Sequence, residues 1–289
     1  MLQKGGIGFF DSGVGGLSIL RACEDVLLGY PVYYYGDNAN APYGNRPIYE
    51  TRAYVREAFD FFKRMDAVAV VIACNTVTAL LIDELRSEYA FPIVGVEPAV
   101  LPAAKEGKRL LVVATKATAS SLRLQKLIDR ARAAYPDVEI TVFGSEKLAG
   151  LVESGFAGGA SELSAYLPAE NPDCVVLGCT HYSFLSERIG EYYGAKVFDG
   201  NEGVSQRLSI VLNLLEKSAR KKDFWDGCPL GDCLLSGLPF FLRKSKAKKS
   251  FFRLKKHGVY VKVKNALTLY FVGSGAVKNL LFYERMFGF

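Results

Sequence analysis

The chain has 289 residues, half of them hydrophobic, and a net charge of +6; that is enough apolar material for one large domain or two modest ones. No run approaches the roughly 18 unbroken apolar residues of a membrane span, and the N-terminus MLQKGGIGFFDSG lacks a secretion signal, so a soluble cytoplasmic protein with no membrane partner is expected. Six cysteines in a chain of this kind read as free thiols rather than a disulfide framework.

Short apolar runs alternate with longer stretches of helical period. GIGFF (6–10) opens the series, and the spaced apolar residues of 12–30 suit a helix face. VYYYG (32–36) comes next, then AVAVVIAC (67–74) with a helical stretch at 77–89, then PIVGV (92–96). RLLVVAT (109–115), VEITVFG (138–144), CVVLGC (174–179) and KVFDG (196–200) continue the alternation. This order predicts an α/β protein built from βα units around mostly parallel sheets. Ligands of such sheets gather at the carboxyl ends of the strands, where the following helices also point their N-termini. Polar clusters fall at those ends: Asp11-Ser12-Gly13, Gly36-Asp37-Asn38, Cys74-Asn75-Thr76, Thr115 to Thr118, and Cys179-Thr180-His181.

Two of these runs are alike. VVIACNT (70–76) and VVLGCTH (175–181) each stop at a cysteine followed by small polar residues, and GIGFFDSG and LLVVATKAT pair as opening strands of the same two halves. The pattern predicts two pseudo-symmetric lobes with an active-site cleft between them, residues 1–97 plus about 205–289 forming the first and 98–204 the second. Chance likeness between two buried parallel strands is the alternative, since such strands share apolar runs for packing reasons alone.

A cysteine at a helix N-terminus meets the positive end of the helix dipole and neighbouring amide N–H groups, which favour thiolate. One such thiol suggests nucleophilic catalysis. Two, Cys74 and Cys179, supplied by mirrored lobes, suggest a base on one face of a carbon and an acid on the other, the requirement for inverting a stereocentre. The unperturbed thiol pKa of about 8.5 lets either group serve in either role. Asp11 and His181 offer a titratable partner to each. Ser12, Asn75, Thr76, Thr115, Thr118 and Thr180 add hydroxyl and amide groups that, with helix N-termini, can bind an anionic substrate without a metal; some of them also serve as ordinary helix caps.

Taken together, FFDSGVGGLSIL, YYYGDNANAPYG, VVIACNTVTA, PIVGVEPAV, VVATKATASS, the GLVE ending at Glu153, and VVLGCTHYSFL resemble the glutamate racemase family, within the aspartate/glutamate racemase superfamily. The likeness runs from residue 7 to about 207. It implies cofactor-independent interconversion of L- and D-glutamate, supplying D-glutamate for peptidoglycan precursors, in a homodimer. It also implies that Cys74 takes the α-proton of D-glutamate and Cys179 that of L-glutamate, that Asp11, His181 and Glu153 assist, and that Ser12, Tyr43, Gly44, Asn75, Thr76, Thr118 and Thr180 bind substrate. Near the C-terminus YFVGSGAVKNLLFYERMF matches the family's closing strand and helix, except that Ala276 stands where an aspartate is common. The link before it is long and basic: from Lys217 to Lys264 there are 14 Lys and Arg against 3 acids.

That link reads as a solvated helical or loop surface, or, through FFLRKSKAKKSFFRLKKHGVYVKVK, as a face for nucleic acid or an anionic membrane. Cys228 and Cys233 could form half a zinc site or a redox pair, although no second pair of ligands follows. Cys23 and Cys174 read as packing residues, and Asp37 as a turn former. A zinc site made from Cys74, Cys179, His181 and Asp11 is a further alternative, with no metal as the favoured expectation. Two rival functions remain: a sister racemase for aspartate or another acidic compound, and a binding protein that kept this fold without turnover.

Overall fold

A computed structural model describes residues 5–155, 160–225, 250–254, 259–264, 267–274 and 276–287. Its strands form two sheets. The first contains β1 (Ile7–Asp11), β2 (Pro31–Gly36), β3 (Ala69–Ile72), β4 (Ile93–Gly95), β9 (Ser250–Leu254), β10 (Val259–Lys264) and β11 (Leu267–Val272), in the order β4-β3-β1-β2-β11-β10-β9. The second contains β5 (Arg109–Thr115), β6 (Glu139–Ser145), β7 (Cys174–Gly178) and β8 (Lys196–Phe198), in the order β6-β5-β7-β8.

The duplication inferred from the two cysteine runs is visible in this topology. Reversed, the second order reads β8-β7-β5-β6, which is β4-β3-β1-β2 with every strand advanced by four. All pairings within those two sets of four strands are parallel. β3 and β7 therefore occupy equivalent places, and so do the cysteines that follow them.

Strand periodicity explains why the sheets are covered on both faces. Phe9, Val71, Val113 and Val175 point into one apolar cluster that runs between the sheets through α1 (Leu17–Ala22) and α9 (Asn201–Trp225). Their neighbours Phe10, Val70 and Ile72 pack beneath α2 (Ile48–Arg64) and α3 (Asn75–Glu88). On the second sheet Leu110, Val112 and Val176 pack beneath α4 (Val100–Glu106) and α6 (Leu122–Ala134). Cys23 and Cys174 belong to these clusters, as packing residues should.

The helical period of 12–30 yields only the short α1, because Asp11 Oδ2 accepts hydrogen bonds from the N–H groups of Gly13 and Gly16 and curls the chain into a loop first. The basic link also departs from the expected helix or loop. Part of it forms β9 and β10: β10 extends the first sheet antiparallel to β11, and β9 lies antiparallel to β10. Their Val, Tyr, Phe and Leu content suits strands better than a solvated surface. Cys228 and Cys233 lie outside the described residues, as does all of 226–249. The closing helix, α10, spans Ala276–Phe287. Among the described residues no helix is long and apolar enough to cross a membrane.

Polar ties join the two sheets' sides. Arg123 on α6 donates to Glu97 at 2.6 Å and to Asp83 on α3 at 2.8 Å, and Thr76 and Thr115 hydrogen bond at 3.0 Å.

Candidate active site

Cys74 caps α3, and Cys179 caps a 3-10 helix spanning Thr180–Leu185. Both have extended backbone angles, so each chain leaves its strand and turns directly into a helix at the thiol. The two side chains are 5 % and 6 % exposed and line one small cavity. Ser12, Tyr43, Gly44, Asn75, Thr76, Thr180 and His181 line it too, together with Pro42, Thr115 and Ala149.

Three sequence-predicted residues stand behind that lining. Asp11, fully buried, faces Thr180, whose hydroxyl donates to Oδ1 at 3.4 Å. Thr118 accepts a hydrogen bond from Thr115, and its own N–H donates to Thr115 Oγ1 at 3.2 Å, so Thr115 meets the cavity and Thr118 supports it. Glu153, from α7 (Leu148–Glu153), accepts from Val14 N–H at 2.9 Å and lies 2.8 Å from His181 Nε2, both through Oε1.

The two thiols have different surroundings. Cys74 Sγ donates to Ser12 Oγ at 3.8 Å, and burial, then the charge of Asp11, pushes its pKa up to about 12. The helix-end effect expected from the sequence is present, as a hydrogen bond from Val77 N–H that favours the thiolate, but desolvation outweighs it. Asp11 thus disfavours the Cys74 thiolate and is itself raised by burial, against the opposing pull of His181. Cys179 Sγ instead lies 3.9 Å from His181 Nδ1. Burial lowers the pKa of His181, but its contacts with Cys179 and Glu153 overcome that and carry it well above the ordinary histidine value. Glu153 is held down at about 2: burial opposes this, while His181, Lys278 and Val14 N–H together win.

The glycines of DSGVGG, unremarkable as a motif, make this geometry possible. A Cβ on Gly13 would fall 2.0 Å from Glu153 Oε1, and one on Gly15 would fall 2.5 Å from His181 Nδ1. The first lobe's loop thus meets the relay of the second with bare backbone. Sequence reasoning also undervalued Asp37, which does more than shape a turn: it accepts from Tyr43 at 2.6 Å and from Ser274 at 2.9 Å, tying the cavity wall to the end of β11. Lys278, on α10, escaped notice altogether; its approach to Glu153 spans 125 positions of chain that no local pattern connects.

Among the described residues no three His, Cys, Asp or Glu side chains come together as a metal site, so Cys74, Cys179, His181 and Asp11 do not form the zinc cluster considered from sequence. Two like parallel sheets that each deliver one thiol to a shared cavity define a class: two-lobed α/β proteins with a pair of cysteines at one small-molecule site. The chain belongs to the Asp/Glu/hydantoin racemase family, whose profile matches residues 17–206. A glutamate racemase from Clostridium botulinum (strain Kyoto / Type A2) is 37 % identical over 229 residues, 74 % of this chain and 87 % of that protein. The crystal structure of Escherichia coli glutamate racemase in complex with L-glutamate and the activator UDP-MurNAc-Ala matches with a TM-score of 0.65 and 29 % identity, covering 73 % of this chain and 83 % of that one. Glutamate racemase from Francisella tularensis in complex with D-glutamate matches with a TM-score of 0.60 and 27 % identity, covering 74 % and 83 %.

Proposed function

We propose that this protein is a glutamate racemase in which Cys74 and Cys179 form the acid–base pair, acting without a cofactor. The observation that carries the reading is the presence of both thiols, from equivalent strand ends, in one cavity. Relatives captured with L-glutamate and with D-glutamate support both enantiomers as substrates.

Substrate binding falls to neutral donors, because among the described residues no Lys or Arg lines the cavity. Asn75 is the leading contributor: its Nδ2 is buried and has no hydrogen-bond partner among the described residues, which leaves it ready for a substrate carboxylate. Ser12, Tyr43, Gly44, Thr76, Thr118 and Thr180 complete or support the binding wall. With L-glutamate, Cys179 removes the α-proton and His181 steers the thiol proton, while Glu153 orients the imidazole. Cys74, held as a thiol at neutral pH, then returns a proton to the opposite face. The reverse reaction exchanges the two roles, and Asp11 restrains Cys74 in both directions.

The same proposal assigns residues 1–97 with about 205–289 to one catalytic lobe and 98–204 to the other. It places the enzyme in the cytoplasm, supplying D-glutamate for peptidoglycan precursors; the free thiols Cys23, Cys74, Cys174 and Cys179 suit a reducing compartment. A homodimer is part of it, supported by the exposed apolar side chains Val277, Leu281 and Met286 on α10.

Exchange of the glutamate α-proton in heavy water, with loss of the circular dichroism of L-glutamate, tests the activity directly. A Cys74→Ser, Cys179→Ser double variant should show neither, and normal turnover by it would refute the assignment. Faster turnover of aspartate than glutamate would move the protein to the sister activity, and no exchange with any acidic amino acid would leave a binding protein.

A further inference from the structure

Lys278 occupies the first turn of α10, where a cation faces the positive end of its own helix dipole. Its partners lie elsewhere. Nζ donates to Oε2 of Glu153 at 2.5 Å and to the main-chain oxygen of the same residue at 3.1 Å. The second bond satisfies a carbonyl at the C-terminal end of α7, the end of a helix where a cation is favoured. One ammonium group thus fixes both the backbone and the carboxylate of Glu153. The other carboxylate oxygen meets His181 Nε2, and the far side of that ring faces Cys179 Sγ. Ammonium, carboxylate, imidazole and thiol follow one another in a line that starts on α10 and ends in the cavity.

We propose that Lys278 is a positioning residue for the proton transfer made by Cys179. It holds the outer oxygen of Glu153 so that the inner oxygen stays aimed at His181, which keeps Nδ1 turned toward the sulfur. Lys278 does not line the cavity, and the side-chain hydrogen bond of Cys74 goes to Ser12 instead. Without it, Oε2 keeps, among the described residues, only the 3.2 Å bond from Asn38 Nδ2, and the carboxylate is freer to rotate. An ordinary surface ion pair would matter little; this one ends on a carboxylate that is 12 % exposed and engaged on both oxygens.

The inference rests on the reading of Cys74 and Cys179 as the acid–base pair, and its test separates the two. Lys278→Met and Lys278→Arg variants of the full chain are compared with the unsubstituted protein, using L- and D-glutamate with hydrogen or deuterium at the α-carbon. Lys278→Met should lower kcat about tenfold with KM changing less than about twofold, and Lys278→Arg should restore most of the loss. Enantiomers have equal free energies, so kcat/KM must fall equally in both directions, and the asymmetry is read from the isotope effects. The effect from the enantiomer deprotonated by Cys179, assigned as L-glutamate, should rise relative to that from the other, because only that transfer has become slower. Activity of Lys278→Met within about twofold of the unsubstituted protein would overturn the proposal. So would a loss of activity with the ratio of isotope effects unchanged, which would make Lys278 an anchor of α10 alone. Failure of the underlying reading shows separately, as no exchange by the unsubstituted protein, and removes the proposal with it.

Discussion

Oε1 of Glu153 lies 2.8 Å from Nε2 of His181, and both side chains are shielded from solvent, at 12 % and 3 % exposure. The contact joins the end of α7 to the 3-10 helix that begins after Cys179. A carboxylate fixed by a backbone N–H on one side and an ammonium on the other is a firm stop against which the imidazole can be oriented.

Acid unfolding should report this carboxylate. Glu153 is lowered from 4.5 to about 2, so its stabilising contribution is complete above about pH 4.5 and disappears as the pH falls toward 2. Glu153→Gln cannot lose what it does not have. Between pH 5 and pH 2.5 the unsubstituted protein should therefore lose on the order of 2 kcal/mol more stability than the variant, part of it shared with His181. Urea unfolding at the two pH values measures the difference, and parallel losses would contradict it.

The imidazole titrates on the opposite side of neutrality. Because the pKa of His181 is raised, its contribution to stability is present below the unfolded value of about 6.5 and is lost as the pH climbs through the higher folded value. The chain has only two histidines, so nitrogen NMR of histidine-labelled protein can follow the ring. It should become neutral only at a higher pH than a free imidazole, and at a lower pH in Glu153→Gln than in the unsubstituted protein. His181→Asn should reduce kcat about a hundredfold, as expected for removal of a general acid–base group.

Bare backbone at Gly13 is a steric requirement of the same relay. Alanine there would place Cβ 2.0 Å from Glu153 Oε1 and 3.1 Å from His181 Nε2, so one or both must move. Gly13→Ala should cost about a hundredfold in kcat, the penalty of displacing a catalytic group by about an ångström. Gly203, inside α9, provides the control: a Cβ there meets nothing within 4 Å. Gly203→Ala should leave activity unchanged and stabilise by about 0.5 kcal/mol. A Gly13→Ala enzyme as active as Gly203→Ala would refute the packing argument.

The contrast between these glycines shows what a sequence discloses. Short apolar runs, and polar residues where they stop, are local features, so the strands and the rim holding Cys74 and Cys179 are legible in the sequence. Glu153 was reached through family likeness, since nothing in GLVE itself marks an acid bound for His181. Lys278 and Asp37 acquire their roles from contacts that cross the fold, to Glu153 and to Ser274. Neither spacing nor composition encodes such contacts. The strands β9 and β10 are hidden for another reason: their basic residues mask the apolar content, and the sheet they extend is reached only through β11, whose partner β2 is distant in sequence.

Cys74 offers the most direct test of the asymmetry between the two thiols. Burial is the chief reason its pKa stands at about 12, and the charge of Asp11 is the next. Asp11→Asn keeps a side-chain oxygen for Gly13 and Gly16 but removes the charge, so the Cys74 thiolate becomes less costly. In a Cys179→Ser background, alkylation of Cys74 by a small haloacetamide at pH 8 should be slow and should quicken about threefold to tenfold with Asp11→Asn, the gain in thiolate being partly offset by weaker nucleophilicity. Mass spectrometry of the modified peptide identifies the site. Steric shielding alone predicts no acceleration, because the substitution leaves the size of the wall unchanged, and equal rates would place the restraint on Cys74 in burial rather than in charge. An acceleration would mean that Asp11 keeps this sulfur protonated between turnovers, ready to deliver hydrogen to a carbanion that Cys179 has formed from the other face.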